Sequence, residues 1–114
     1  MPPSMEDRFQ DILRATTKIE TFLEGCSFEE FASDDMRYLA IERLLAIACE
    51  AALKIPDSVK ELAPHINWRE MNNFANLLRH AYHSSDASEV WKIVQNDLPP
   101  LKTFVEQRIR DGSR

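Results

Sequence analysis

Apolar residues return at every third or fourth position along nearly the whole chain, which is the spacing of one face of an α-helix. Met5, Phe9, Ile12, Leu13, Ile19, Phe22 and Leu23 predict a first helix, and Gly25 supplies its stop signal. Ser27-Phe-Glu-Glu30 reads as a capping box that opens a short turn of helix. Ser33 or Asp34 can then cap a long helix through Lys54. Its expected core stripe is Met36, Leu39, Ala40, Leu44, Ile47, Ala48, Ala51 and Ala52, with enough small residues for close helix–helix approach. Pro56 ends that helix and can help start a short segment over Ser58–Ala63.

After the connector Pro64-His-Ile-Asn67, the sequence Asn67-Trp-Arg-Glu70 forms a second capping box. The helix it opens is expected to run from Trp68 to about Tyr82, closed by the polar His83-Ser-Ser-Asp86. Asp86-Ala-Ser-Glu89 caps a last helix. Val90, Trp91, Ile93, Val94, Leu98, Leu101, Phe104, Val105 and Ile109 point inward there, and Pro99-Pro100 kinks or briefly interrupts it. Trp68 and Trp91 are expected to fill the core. The prediction is an all-α, antiparallel bundle of four to five helices, with residues 1–114 as one domain and no internal repeat or linker.

Composition narrows the function. The chain has 114 residues, enough for one core and too few for two. Only two glycines argue against a phosphate-cradling Gly-rich loop, and so against a nucleotide-binding enzyme of that type. A net charge of −5 disfavours strong non-specific nucleic-acid binding, which needs a basic face. The C-terminal cations Lys102, Arg108, Arg110 and Arg114 are most simply complements to a helix dipole. The N-terminus carries no apolar signal region and no run is long enough to span a bilayer, so a cytoplasmic location is expected. Cys26 and Cys49 fit no metal-ligand spacing and read as reduced thiols.

Candidate chemistry concentrates near the end of the fifth predicted segment. Helical spacing places Asn72, Asn76, His80 and His83 on one stripe, with Phe74, Leu77, Leu78 and Ala81 on the apolar face. Ala75 and Arg79 share a third stripe beside the polar one. A histidine can move protons near neutral pH, and a tyrosine at a helix exit can accept a modification. The same pattern also describes an ordinary solvated helix face.

Several segments together resemble the HepT-like branch of the HEPN superfamily. They are Ala40-Ile-Glu-Arg-Leu-Leu-Ala-Ile-Ala-Cys-Glu-Ala-Ala52, Pro64-His-Ile-Asn-Trp-Arg-Glu70, His80-Ala-Tyr82, and Val90-Trp-Lys-Ile-Val-Gln-Asn-Asp-Leu-Pro-Pro-Leu101. The resemblance runs roughly from Phe31 to Val105. It implies a homodimeric helical bundle in which signature residues of two subunits share a cleft. It further implies a metal-independent RNase that needs no cofactor, the toxin of a toxin–antitoxin pair. The implied partner is a minimal nucleotidyltransferase that can attach AMP to the signature tyrosine. That signature is Arg, four residues, His, one residue, Tyr, with an Asn commonly following the Arg. Asn76, His80 and Tyr82 stand at matching positions.

The signature arginine is absent. Ala75 occupies its place, and the nearest arginine upstream of His80, Arg69, lies eleven residues before that histidine, about 16 Å along a helix axis. RNA cleavage through its own 2′-hydroxyl needs a base, an acid and positive charge on the phosphorane. A guanidinium suits that last task because it is always charged and grips two oxygens at once. Arg79, one turn beyond Ala75, can lean toward the helix N-terminus over that position. Two readings follow from the resemblance. In the first, the chain is an endoribonuclease with a degenerate motif: His80, Asn76 and Arg79 are the candidate catalytic residues and Tyr82 the AMP acceptor. In the second, it is a binding subunit that keeps the nucleotidyltransferase partner and has lost the chemistry. A plain dimerisation domain is the third possibility. No Glu-x-x-His pair is present, and a metal shared by His80 and His83 is not expected, with His65 distant in sequence. Arg43 and Glu50, on a helix otherwise rich in small apolar residues, can make an inward polar contact near the cleft, and a salt bridge within or between subunits is the simpler account.

Overall fold

A computed structural model of the chain describes residues 4–80 and 86–112. Among these residues there are seven helices and no strand: α1 (Met5–Phe22), α2 (Phe28–Ser33), α3 (Asp35–Leu53), α4 (Asp57–Lys60), α5 (Trp68–Arg79), α6 (Ala87–Asn96) and α7 (Leu98–Gly112). The expected all-α bundle is what is observed. Five helices are long, and α2 and α4 are short, with α2 adding the buried Phe31 to the core.

Helix starts follow the local chemistry. The Ser27 hydroxyl accepts the Glu30 N–H while the Glu30 carboxylate accepts the Ser27 N–H, a reciprocal capping box. Ser4 and Asp7 do the same for α1. Asp34, Asn67 and Asp86 each accept a backbone N–H three residues on, at 3.1, 3.1 and 2.8 Å. Gly25 takes the left-handed conformation (φ 69°) beyond the end of α1, where a side chain would be strained. The segment expected as one last helix divides at Asp97. Pro99 and Pro100 then fall in the first turn of α7, where a missing N–H leaves no bond unmade.

α3 lies at the centre, packed by α1, α2, α5 and α6, while α7 closes the bundle against α1 and α6. The inward face of α3 is Ile41, Leu45, Ala48, Cys49, Ala51 and Ala52. This corrects the expected stripe in the first half of the helix. Met36 is 84% exposed and Leu39 62% exposed, and Ala40, Leu44 and Ile47 are only half-buried. Both faces of α3 are apolar, so periodicity alone does not tell which one its own chain covers. Phe9, Ile12, Ala15, Thr16 and Ile19 of α1 fill the other side of the core. Thr16 satisfies its hydroxyl on the Ile12 carbonyl (2.9 Å).

The two tryptophans sit at the rim of the core rather than within it. Trp68 is half-buried, donates its indole N–H to the Ala63 carbonyl (3.1 Å) and meets Phe104 edge-on. Trp91, also half-buried, packs on Phe28 and Phe31.

Candidate functional site

α5 divides sharply by face. Met71, Phe74 and Ala75 are buried, and Leu78 packs against the core from its edge. Asn76 and Arg79 are exposed. The helix ends at Arg79, three residues earlier than its pattern suggests. His80 has extended backbone angles (φ −88°, ψ 110°), and its N–H turns back to the Leu77 carbonyl at 3.3 Å. No Gly or Pro marks this end in the sequence, which is why the periodic pattern overruns it. His80 therefore projects from the first residue past the helix, where its side chain is exposed. Tyr82, the expected AMP acceptor, and His83 and Ala81, expected to extend the helix faces, lie outside the described residues. So does Arg114.

The guanidinium of Arg79 is held by three hydrogen bonds to two side chains. Its Nε and Nη2 donate to the two carboxylate oxygens of Glu50, at 3.0 and 2.8 Å. Its Nη1 donates to Asn76 Oδ1 at 3.1 Å. Glu50 lies in the last turn of α3, 29 residues away in sequence. Hydrogen bonds donated to Glu50 first, and the charge of Glu50 second, raise the Arg79 pKa further above its ordinary value. Both side chains stay accessible, at 47% and 39%. This charged cluster is thus an open surface feature that joins the ends of α3 and α5.

Ala75 lies outside that cluster. It is 1% exposed and belongs to the core shared with α3. The Arg79 side chain leans back along α5, as helical geometry favours, but it comes to rest on Asn76 and Glu50. The structure thus brings Asn76 and Arg79 into contact, with His80 adjoining in sequence, and adds Glu50. The sequence marks Glu50 as an inward polar contact near the cleft or, more simply, as one half of a salt bridge. Opposite charges on two predicted helices were the available signal, and nothing in the spacing paired this carboxylate with Arg79.

Elsewhere the surface is chemically quieter. Among the described residues no group of three or more His, Cys, Asp and Glu side chains is arranged to hold a metal. No helix of the described residues is long and apolar enough to cross a membrane. Lys102 pairs with Glu20 across α7 and α1. Cys49 is fully buried and burial pushes its thiol up to about 12, with the charges of Asp97, Glu50 and Glu70 adding to the effect. Cys26 is half-buried and accepts an N–H from Arg37 at 2.9 Å.

Comparison with known proteins identifies the family of the chain. No solved structure matches the chain. A protein of Thermococcus cleftensis named "Probable ribonuclease HepT" is 40% identical over 107 residues, covering 94% of this chain and 97% of that protein. "Putative RNase MJ1380" of Methanocaldococcus jannaschii is 34% identical over 96 residues, covering 84% and 88% respectively. The profile of the family described as ribonuclease HepT-like matches residues 12–108. The chain belongs to the HepT-like ribonuclease family.

Proposed function

We propose that this protein is a metal-independent endoribonuclease, the toxin of a toxin–antitoxin pair, acting in the cytoplasm as a homodimer of one-domain subunits. The observation that carries the reading is the cluster at the end of α5. There Asn76 and Arg79 are in contact and His80 follows at once, in a chain of HepT-like ribonuclease ancestry. The substrate would be cut by its own 2′-hydroxyl. That oxygen attacks the neighbouring phosphorus, its proton goes to a base, and the departing 5′-oxygen takes a proton from an acid. His80 is suited to proton transfer. Arg79 brings the fixed positive charge that the phosphorane needs, in place of the signature arginine that Ala75 replaces. Asn76, bonded to Nη1, steadies that guanidinium.

The dimer reading rests on the outer face of α3. Phe22, Met36 and Ala40 line a shallow groove between the end of α1 and the start of α3, and Leu39 stands beside it. Large apolar side chains gathered in one exposed place mark an interaction surface. A second copy of the chain would cover it. The partner enzyme is a minimal nucleotidyltransferase, with Tyr82 as the residue it would adenylylate to silence the toxin. Both of these assignments come from the family resemblance.

The test is cleavage of a mixed RNA by the purified, partner-free protein in excess EDTA, beside His80→Ala. Cleavage that vanishes in the variant supports the reading. A folded dimer, unmodified at Tyr82, that cuts nothing favours the second reading, a binding subunit that keeps the partner and has lost catalysis. One observation speaks for that alternative. The position of the signature arginine is occupied by a buried alanine, so no cation emerges from it.

A further inference from the structure

A guanidinium carries five N–H groups. Glu50 takes one from Nε and one from Nη2, and Asn76 takes one from Nη1. Among the described residues, one N–H on each terminal nitrogen is left without a partner, and these two donors can bond phosphodiester oxygens. Without Glu50, Arg79 would be a long side chain at the last turn of an exposed helix end, free to sample many rotamers. Two simultaneous bonds to one carboxylate fix both the position and the plane of the group. The carboxylate itself is presented by α3, a helix anchored in the core on either side of Glu50 through Cys49, Ala51 and Ala52.

We propose that Glu50 is a positioning residue of the RNA site: it holds Arg79 by the Nε–Nη2 edge so that the remaining terminal N–H pair faces the scissile phosphate. The proposal rests on the reading of Arg79 as a phosphate ligand given above. Glu50 touches no substrate atom in this account and acts only through Arg79. An alternative role for the same carboxylate is competition, in which it occupies Arg79 and must be displaced by RNA. The two roles predict opposite signs. A positioner lost lowers activity, and a competitor lost raises it.

A double-mutant cycle on the full-length protein separates them, using Arg79→Ala, Glu50→Ala and both together. Two readouts are taken: kcat/KM for RNA cleavage, and affinity for a non-cleavable 2′-O-methyl RNA of the same sequence. Arg79→Ala is expected to lower kcat/KM on the order of a hundredfold. Glu50→Ala alone should lower it about tenfold, chiefly in kcat, and add nothing once Arg79 is gone. Glu50→Gln, which keeps one acceptor, should fall between native and Glu50→Ala. The exchange Glu50→Arg with Arg79→Glu restores the ion pair but moves the cation from α5 to α3, so it should not recover cleavage. If cleavage returns with the exchange, the pair matters only as a pair and the proposal fails. Loss in Arg79→Ala with native or raised activity in Glu50→Ala overturns the positioning role and leaves the RNA reading standing. Native cleavage and affinity in Arg79→Ala, or no cleavage and no binding by the native protein, overturn that reading and the positioning role with it.

Discussion

α3 and α5 lie side by side and share the core, yet they are built on different plans. α5 has one apolar face, turned inward through Met71, Phe74 and Ala75, and a polar face that holds Asn76 and Arg79. α3 carries apolar residues on two sides, with Arg37, Glu42, Arg43 and Glu50 between them. Its inner side is buried through Ile41, Leu45 and Cys49, and its outer side leaves Met36 and Leu39 in the open. The physics of burial explains the difference. A helix that meets its own chain on one side needs only one apolar stripe, whereas a second apolar stripe has no use until something else covers it. α5 is therefore the helix that carries the polar cluster, and α3 the one that leaves large apolar side chains uncovered among the described residues. Glu50, at the end of α3, is where the two plans meet.

The contrast predicts that equal truncations on the two sides of α3 have unequal costs. Leu45→Ala removes a fully buried side chain and should destabilise the fold by about 2–5 kcal/mol in urea denaturation. Leu39→Ala at high dilution should cost well under half of that, because its side chain already meets solvent. Comparable losses at the two positions would mean that the outer stripe is not free of its own chain. In the other direction, Leu39→Lys should abolish dimerisation in sedimentation or light-scattering measurements while the far-UV circular dichroism stays native. Leu39→Lys that remains a dimer would remove this face from the assembly.

For α5 the matching test is its start. Asn67 supplies the side-chain cap on Glu70 N–H, so Asn67→Ala should cost about 1 kcal/mol, read as a lower urea midpoint at unchanged m-value. Asn67→Asp should retain most of the stability. A loss of the same size in both variants would point to a contact other than the cap.

These two helices also show what the amino-acid pattern could and could not reveal. α5 was placed from its capping residue and from an apolar stripe that is unambiguous, because only one face is apolar. Its end was not, since Arg79-His80 carries neither Gly nor Pro and the chain turns out of the helix without a sequence marker. In α3 the helix itself was plain, but the expected stripe began on the wrong side, at Met36 and Leu39 instead of Ile41 and Leu45. Two apolar faces at helical spacing look alike until neighbours are known. For the site, Asn76, Arg79 and His80 could be singled out as residue types suited to phosphodiester chemistry. The bond from Arg79 to Glu50 could not, because a contact across 29 residues has no period. Ala75 was visible as a departure from the family pattern, whereas its burial became apparent only when α5 was set against α3.

The inner face of α3 can be probed by reactivity. Cys49 lies there with its thiol pushed up to about 12, so almost none of it is thiolate at pH 8. Cys26, half-buried in the connection before α2, is reachable. Native protein at pH 8 should yield one fast-reacting thiol per chain with a disulfide reagent, absent in Cys26→Ser, and a second only in denaturant. Rapid labelling of Cys49 in the native state would show that the α3 interior opens far more often than its packing implies.

The smallest stability effect is expected at the point where α3 and α5 are tied together. The Arg79–Glu50 pair has good bidentate geometry, but both groups are wet, and an exposed ion pair gains little over hydration by water and counterions. Arg79→Ala and Glu50→Gln should each unfold within a narrow margin of the native midpoint, and 0.5 M salt should shrink even that difference. The buried contacts beneath, through Phe74 and Cys49, hold the two helices together without it. A site built this way can change its charges without losing its fold, so a large fall in RNA cleavage in either variant would report on the site alone. A large drop in unfolding midpoint would instead place the pair among the supports of the α3–α5 packing and assign its energy to structure.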